Sequence, residues 1–362
     1  MFLKNLVYVC TEEAHLINEW GAAFRKDFRS IGKFFRGCLS SNISAFATTA
    51  TLTPGEATTS VCKSLGFTTG SFHLIRHSNK HPNMQIAMKP LTTSISGSTF
   101  PDLLPILSSG RKAVIHCDTL DLIFRVFVYL MSLYPRDSDF LRRVRPYTSI
   151  CPDEFNLRTL YLFKNDPYCQ IVIGTVAIAW GLNVATLLDN VRISLLKGKS
   201  LDQVVQEWGR VGRHGDFYSH GIVLYPKRAI KAAEKILKEA ESTADTGRRQ
   251  LLTEKIGYNR LLNQHYQNKP EEDTIKTCIE AKRKVPCSLC QTLASNVVEF
   301  TSPIHPSHLP PLTPFPSSSP WLKSTLSLRK KKISPQKREE YTSRLTPQTT
   351  PQNSWRYNRH RQ

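Results

Sequence analysis

Hydrophobic and polar positions along this chain alternate between short apolar runs and longer amphipathic stretches. Residues 2–10 (FLKNLVYVC) form the first run, too short for a typical helix and rich in Val, Leu and aromatics, which suits a buried parallel strand. A helical stretch follows over residues 16–37, then a strand-like run from Ile43 to Ala50. A helix is expected to open after Thr53-Pro54-Gly55-Glu56, with Thr53 as cap and Pro54 in the first turn. A parallel strand at the N-terminus needs neighbours and crossover connections, so the pattern reads as though the chain began within a domain. A second βαβ rhythm runs through Lys112–Cys117 (KAVIHC), helical Leu120–Leu133, a strand at Gln170–Gly174 and another at Gly221–Tyr225. Two α/β lobes are expected.

The pattern changes after the second lobe. Residues 229–292 are charged and rich in Ala, Lys, Glu and Leu at helical spacing, and they end in Cys278, Cys287 and Cys290. Beyond about residue 300 the chain is rich in Pro, Ser and Thr, with a basic run Arg329-Lys330-Lys331-Lys332. Such a composition buries too little apolar surface to offset chain entropy, and a disordered tail is expected. The basic run suits a nuclear localisation signal, a phosphate-binding arm or solvated charge. The length of 362 residues allows roughly two or three domains. The net charge of +20 favours a polyanionic partner, with nucleic acid first, because Lys and Arg contacts to phosphates release condensed counterions. Most of the nine cysteines stand alone within apolar runs, which points to a reducing, intracellular setting rather than a disulfide framework. No run reaches the roughly 18 to 20 apolar residues of a membrane span, and residues 1–10 lack a signal-peptide cleavage region, so a soluble, unsecreted protein with no membrane partner is expected.

Two constellations carry chemistry. Thr11-Glu12-Glu13-Ala14-His15 follows the first strand directly. Paired carboxylates at the carboxyl end of a parallel strand can hold Mg²⁺ through its water shell and orient an attacking water. The same residues also suit the acidic first turn of a helix. Gln206-Glu207-Trp208-Gly209-Arg210-Val211-Gly212-Arg213 is the second constellation. Its two arginines, three residues apart, are expected on one helix face, where planar guanidinium groups suit a γ-phosphate; pairing with surface carboxylates is the other use.

Taken in order, Glu12 to His15 with Ile17 to Gly21, Thr49-Ala50-Thr51, Asn79 to Asn83, Gly174-Thr175 through Asn183, and Gln206 to Arg213 resemble the motifs of RecQ-type superfamily 2 helicases, over about residues 2–226. The resemblance implies a partial first RecA-like lobe (1–100) and a complete second one (101–228), both parallel sheets flanked by helices. A helical, cysteine-containing region (229–295) and the tail (296–362) would follow. It implies Glu12 as the Mg²⁺ ligand, Glu13 as the carboxylate that polarises water, and Arg210 and Arg213 as arginines reaching ATP, with Gln206, Asn183 and Gly181 at the nucleotide. His15, Thr49 and Thr51 would couple hydrolysis to DNA movement. Trp20, Phe24, Arg25 and Thr175 would touch DNA, although any one of these rings could equally pack in a core.

The sequence departs from the family's motifs at Glu12, where Asp is usual, at Asn183, often Asp, and at His81, usually Arg; Tyr147-Thr148-Ser149-Ile150 replaces a Tyr-His-Ala-Gly segment. GxxxxGK[ST], the loop whose amides cradle phosphates, does not occur. Cys278, Cys287 and Cys290 would be zinc ligands by the same resemblance, or free thiols. The function implied is an ATP-driven 3′–5′ DNA helicase of the nucleus, acting in repair or recombination. Its alternative is a nucleic-acid-binding remnant without turnover.

Overall fold

The structure is a computed structural model that describes residues 5–17, 30–38, 43–79, 81–134, 140–175, 178, 183–193, 200–213, 217–239, 246–267, 275–292 and 300. Trp20, Phe24, Arg25, Gly181, the tail and its basic run lie outside the described residues.

The first lobe is a two-stranded parallel sheet. Strand β1 (Tyr8–Thr11) pairs with β2 (Ser44–Ala47) in the register Tyr8–Ser44 to Thr11–Ala47. Helices α1 (Ile31–Cys38) and α2 (Glu56–Leu65) accompany it, and Ala14, Ile17, Val61 and Leu65 form a small core with Leu52 and Phe67 against them. Helix α2 starts later than its sequence suggests. Gly55, at φ +85°, holds the N-cap position with no side-chain cap, and Thr53 contributes its carbonyl, which accepts the Thr58 hydroxyl at 2.7 Å. The turn needs a left-handed residue, so Gly displaces Thr from the cap.

The second lobe is a six-stranded sheet, parallel throughout, in the order β3-β8-β7-β4-β6-β5. Its strands are β3 (Met84–Pro90), β4 (Lys112–Cys117), β5 (Val144–Tyr147), β6 (Ile171–Gly174), β7 (Leu187–Ile193) and β8 (Ser219–Tyr225). Helices α3 (Leu104–Ser108), α4 (Leu120–Ser132), α5 (Phe140–Arg143), α6 (Asp153–Asn165) and α7 (Leu201–Trp208) cover it. Strand β3 pairs with β8 from Met84–Ser219 to Pro90–Tyr225, so the chain enters this sheet at Met84 and the boundary expected at residue 100 lies too late. The reason is a long-range pairing, which no local pattern announces.

Strand β7 also escaped the periodicity. Its polar residues Asp189, Asn190 and Arg192 are all buried, because each has a partner: Arg111 and His220 for Asp189, the Glu207 carbonyl for Asn190, and Glu207 for Arg192. Burying a charge is tolerable only when it is paired and hydrogen-bonded. Burial by itself would lower the pKa of Arg192, but the Glu207 and Asp118 carboxylates hold it above its ordinary value.

Helices α8 (Ala229–Glu239), α9 (Thr246–Thr253), α10 (Tyr258–Tyr266) and α11 (Ser288–Gln291) follow β8. They share the second lobe's core: Leu251, Tyr258, Leu262, Tyr266 and the cysteines pack with Val204, Trp208 and Met84. Strand β3, an edge of the sheet, is covered by this region, with Gln85 donating to the Pro286 carbonyl at 3.0 Å and to Gln291 Oε1 at 3.1 Å. Among the described residues no helix is long and apolar enough to cross a membrane.

Candidate nucleotide site between the lobes

The turn after β1 is pinned to the end of β2, with Ala14 N–H donating to Thr48 O at 3.0 Å and Thr48 N–H to Thr11 O at 2.9 Å. Glu13 sits in this turn at φ +50°, a left-handed conformation uncommon for a non-glycine residue. Glu12 beside it is exposed. The imidazole of His15 is 4% exposed, and burial lowers its pKa to about 4, so it is neutral at pH 7. Its Nδ1 lies 2.9 Å from Thr49 Oγ1 and 3.5 Å from Glu13 Oε2.

Helix α7 supplies the other half of the site. Ser200 caps it by accepting the Gln203 N–H, and the apolar face with Leu201, Val204, Val205 and Trp208 seats it on the sheet. Gln206 projects across the cleft. Its Nε2 lies 2.8 Å from His15 Nε2, 3.1 Å from Thr51 Oγ1 and 3.4 Å from Glu13 Oε2. With Gln206 as donor, neutral His15 accepts on Nε2 and turns Nδ1–H toward Thr49. Thr51 is fully buried by these contacts.

Arg210 and Arg213 do not share a helix face, contrary to the sequence reading. Helix α7 stops at Trp208, Gly209 caps it, and the chain turns through Gly212 at φ +64°, whose carbonyl accepts Asn83 Nδ2 at 2.7 Å. A Cβ at Gly212 would come within 2.4 Å of Ser219 Oγ, so only glycine fits this turn. Arg210 faces Glu13. Burial raises the Glu13 carboxyl, with Arg210 opposing and Glu12 adding to the rise; Arg210 is lowered by burial and by Arg213, with Glu13 opposing. Arg213 Nη1 donates to Asn183 Oδ1 at 3.2 Å. His81, where the family usually has Arg, is lowered by burial and by Arg213, so it adds no second full charge beside that arginine.

Glu13, His15, Thr49, Thr51, Gln206 and Arg210 thus converge, with Arg213 and Asn183 adjoining. Thr175 stands half-buried at the carboxyl end of β6, and among the described residues no hydrogen bond joins it to the Gln206 cluster. The assembled groups can hold an anion against Arg210 and accept a proton on Glu13.

Sequence reasoning missed what supports α7. Arg192 pairs with Glu207 through two contacts, one of them Nε to Oε2 at 2.8 Å, and with Asp118 at 2.8 Å. His116 approaches Glu207 at 4.0 Å, and Asn190 Nδ2 lies 3.1 Å from His116 Nε2. A buried Glu inside the Gln206-to-Arg213 motif was the available signal.

The sulfur atoms of Cys278, Cys287 and Cys290 lie within 4.8 Å of one another and are buried. Cys278 Sγ accepts Asn259 Nδ2 at 3.2 Å and the Cys287 N–H at 3.4 Å. Those donors and the Cys287 thiol lower its pKa to about 5 against the effect of burial, while Cys287 and Cys290 are raised. Three buried sulfurs this close together are a donor set suited to a soft cation.

The parallel α/β lobes and the motifs between them resemble those of RecQ-type helicases. The chain is 24% identical over 225 residues to the ATP-dependent DNA helicase Q1 of Rattus norvegicus, covering 61% of this chain and 33% of the relative. It is 27% identical over 214 residues to the ATP-dependent DNA helicase Q-like 4B of Arabidopsis thaliana, covering 56% of this chain and 16% of the relative. The chain therefore spans a third or less of the length of these relatives. Among solved structures, the DEAD-box helicase Mss116 bound to ssRNA and UDP-BeF aligns with a TM-score of 0.48 at 15% identity, over 74% of this chain and 57% of that one. No family model matches the chain.

Proposed function

We propose that this chain forms the coupling part of a RecQ-type, ATP-dependent nucleic-acid helicase, acting on DNA in the 3′–5′ direction. The observation that carries the reading is the contact of Gln206 with Glu13, His15 and Thr51, which joins α7 of one lobe to the paired-carboxylate turn of the other. In this reading Glu13 orients the attacking water, Arg210 and Arg213 meet the developing charge on the γ-phosphate, and Glu12 takes the water shell of Mg²⁺. The same reading assigns Trp20, Phe24, Arg25 and Thr175 to DNA contact and Gly181 and Asn183 to the nucleotide, and it puts the protein in the nucleus, in repair or recombination. A second reading, nucleic-acid binding without turnover, draws on the net charge of +20, which suits phosphate contacts by itself.

ATP hydrolysis by the purified chain, with and without single-stranded DNA or RNA, separates the two. The helicase reading expects DNA to raise turnover, and binding to weaken steeply with salt as phosphate contacts are screened. Nucleic-acid binding with no turnover sinks it in favour of the second reading, and stimulation by RNA alone overturns the choice of DNA.

Zinc fits Cys278, Cys287 and Cys290, which would supply three of the four ligands of a structural tetrahedral site. We expect about one equivalent of zinc per chain by elemental analysis, lost with Cys278→Ser and accompanied by a lower melting temperature. Metal-free protein with an unchanged melt upon chelation would refute the assignment.

A further inference from the structure

Arg76 joins parts of the chain far apart in sequence. Its guanidinium donates to the Leu52 carbonyl at 2.7 Å and the Thr58 hydroxyl at 3.1 Å, both in the first lobe, and to the Tyr266 carbonyl at 3.3 Å, at the end of α10. Tyr266 is 2% exposed, and its hydroxyl donates to Asp202 Oδ1 at 2.6 Å. Asp202 lies in the first turn of α7, one helical turn ahead of Gln206. Gln206 then reaches Thr51, the residue before Leu52, at 3.1 Å. The contacts close into a ring: Leu52, Arg76, Tyr266, Asp202, Gln206, Thr51. Gln206 and Thr51 were singled out as motif residues; the other side of the ring runs through the C-terminal helices.

We propose that Arg76, Tyr266 and Asp202 are positioning residues that set the depth at which α7 presents Gln206, and the turn after it Arg210, to the Glu13 turn. The C-terminal helices are then a working part of the motor rather than an appendage. A guanidinium fork fixes direction as well as distance, so Arg76 locks the Thr51–Leu52 segment to α10 with little rotational freedom. The Tyr266 hydroxyl carries that reference to α7, whose hydrogen-bonded turns transmit a shift at Asp202 to Gln206. His265, edge-on to the Tyr266 ring at 4.9 Å, backs the tyrosine. Small misplacements of reacting groups have large kinetic effects, which is why such a ring matters to turnover.

The inference rests on the helicase reading only for its kinetic arm, and the test keeps the two apart. Spin labels carried on non-natural residues at exposed Lys63 and Lys235 of the full chain report the distance between the first lobe and the C-terminal helices. A narrow distribution is expected for the parent and a broadened one for Tyr266→Phe and Arg76→Ala, with Arg76→Lys recovering part of the order. Tyr266→Phe removes one hydroxyl and keeps the ring packing, so it decides the matter should Arg76→Ala fail to fold. In the kinetic arm, Tyr266→Phe is expected to lower kcat about five- to tenfold, the scale of one buried hydrogen bond. The KM for ATP should change less than about twofold, as befits loss of alignment rather than binding. Unbroadened distances in both variants overturn the proposal. A parent chain without turnover defeats the helicase reading and leaves the distance test standing.

Discussion

Glu13→Gln is expected to reduce nucleic-acid-stimulated ATP turnover by about 10²- to 10⁴-fold, the range typical of a positioned general base. The substitution is nearly isosteric, and the new amide oxygen can still accept from Gln206, so the interlobe contact and the fold should survive. What is lost is a carboxylate raised by burial in a cleft and held near Arg210. Parallel measurement of nucleotide affinity distinguishes chemistry from binding: kcat should collapse while affinity holds. Unchanged turnover would remove Glu13 from the chemistry, and comparable losses of affinity and kcat would make it a binding group. The left-handed backbone at Glu13 is a strained position of the kind that clusters at functional sites, which adds structural support for a role in the reaction.

The largest stability effect is expected from Arg192→Met. It takes the paired guanidinium from the Glu207 carboxylate, which is 1% exposed and which His116 approaches only to 4.0 Å. An uncompensated buried charge costs about 3–5 kcal/mol, which chemical denaturation of the variant should reveal. The double replacement Arg192→Met with Glu207→Met removes both charges and should recover much of that loss, since hydrophobic residues of similar volume often replace a buried ion pair without penalty. Asp118, partly exposed at 16%, can turn to solvent when Arg192 is gone. A double variant as unstable as the single one would show that the Arg192–Glu207 pair has no special place in the fold. Because Glu207 adjoins Gln206, the single variant should also loosen the contact with His15.

Several elements were legible from local pattern. The apolar run Lys112–Cys117 is β4, the helix expected over Leu120–Leu133 is α4 to within one residue, and Gly221–Tyr225 lies within β8. Other elements were hidden because their signals are not local. Strand β7 reads as a polar segment until Arg111, His220 and Glu207 are brought to it from elsewhere in the chain. Strand β3 belongs to the second sheet because Met84–Pro90 meets Ser219–Tyr225, more than a hundred residues later. The spacing of Arg210 and Arg213 suggested a helix face, but the left-handed Gly212 turn carries Arg213 to Asn183 instead.

By itself the sequence determined that the chain is α/β, and it marked Glu12 to His15, Gln206 to Arg213 and three cysteines near residue 280 as candidate groups. These follow from residue type and short spacing, which reside in the covalent chain. Only the tertiary structure decided that Gln206 bonds His15 and Thr51, that Arg213 turns away to Asn183, and that Arg76 and Tyr266 close a ring around α7. Hydrogen bonds and ion pairs act over a few ångströms, so residues separated by up to 206 positions can interact only after the sheets and helices have brought them together.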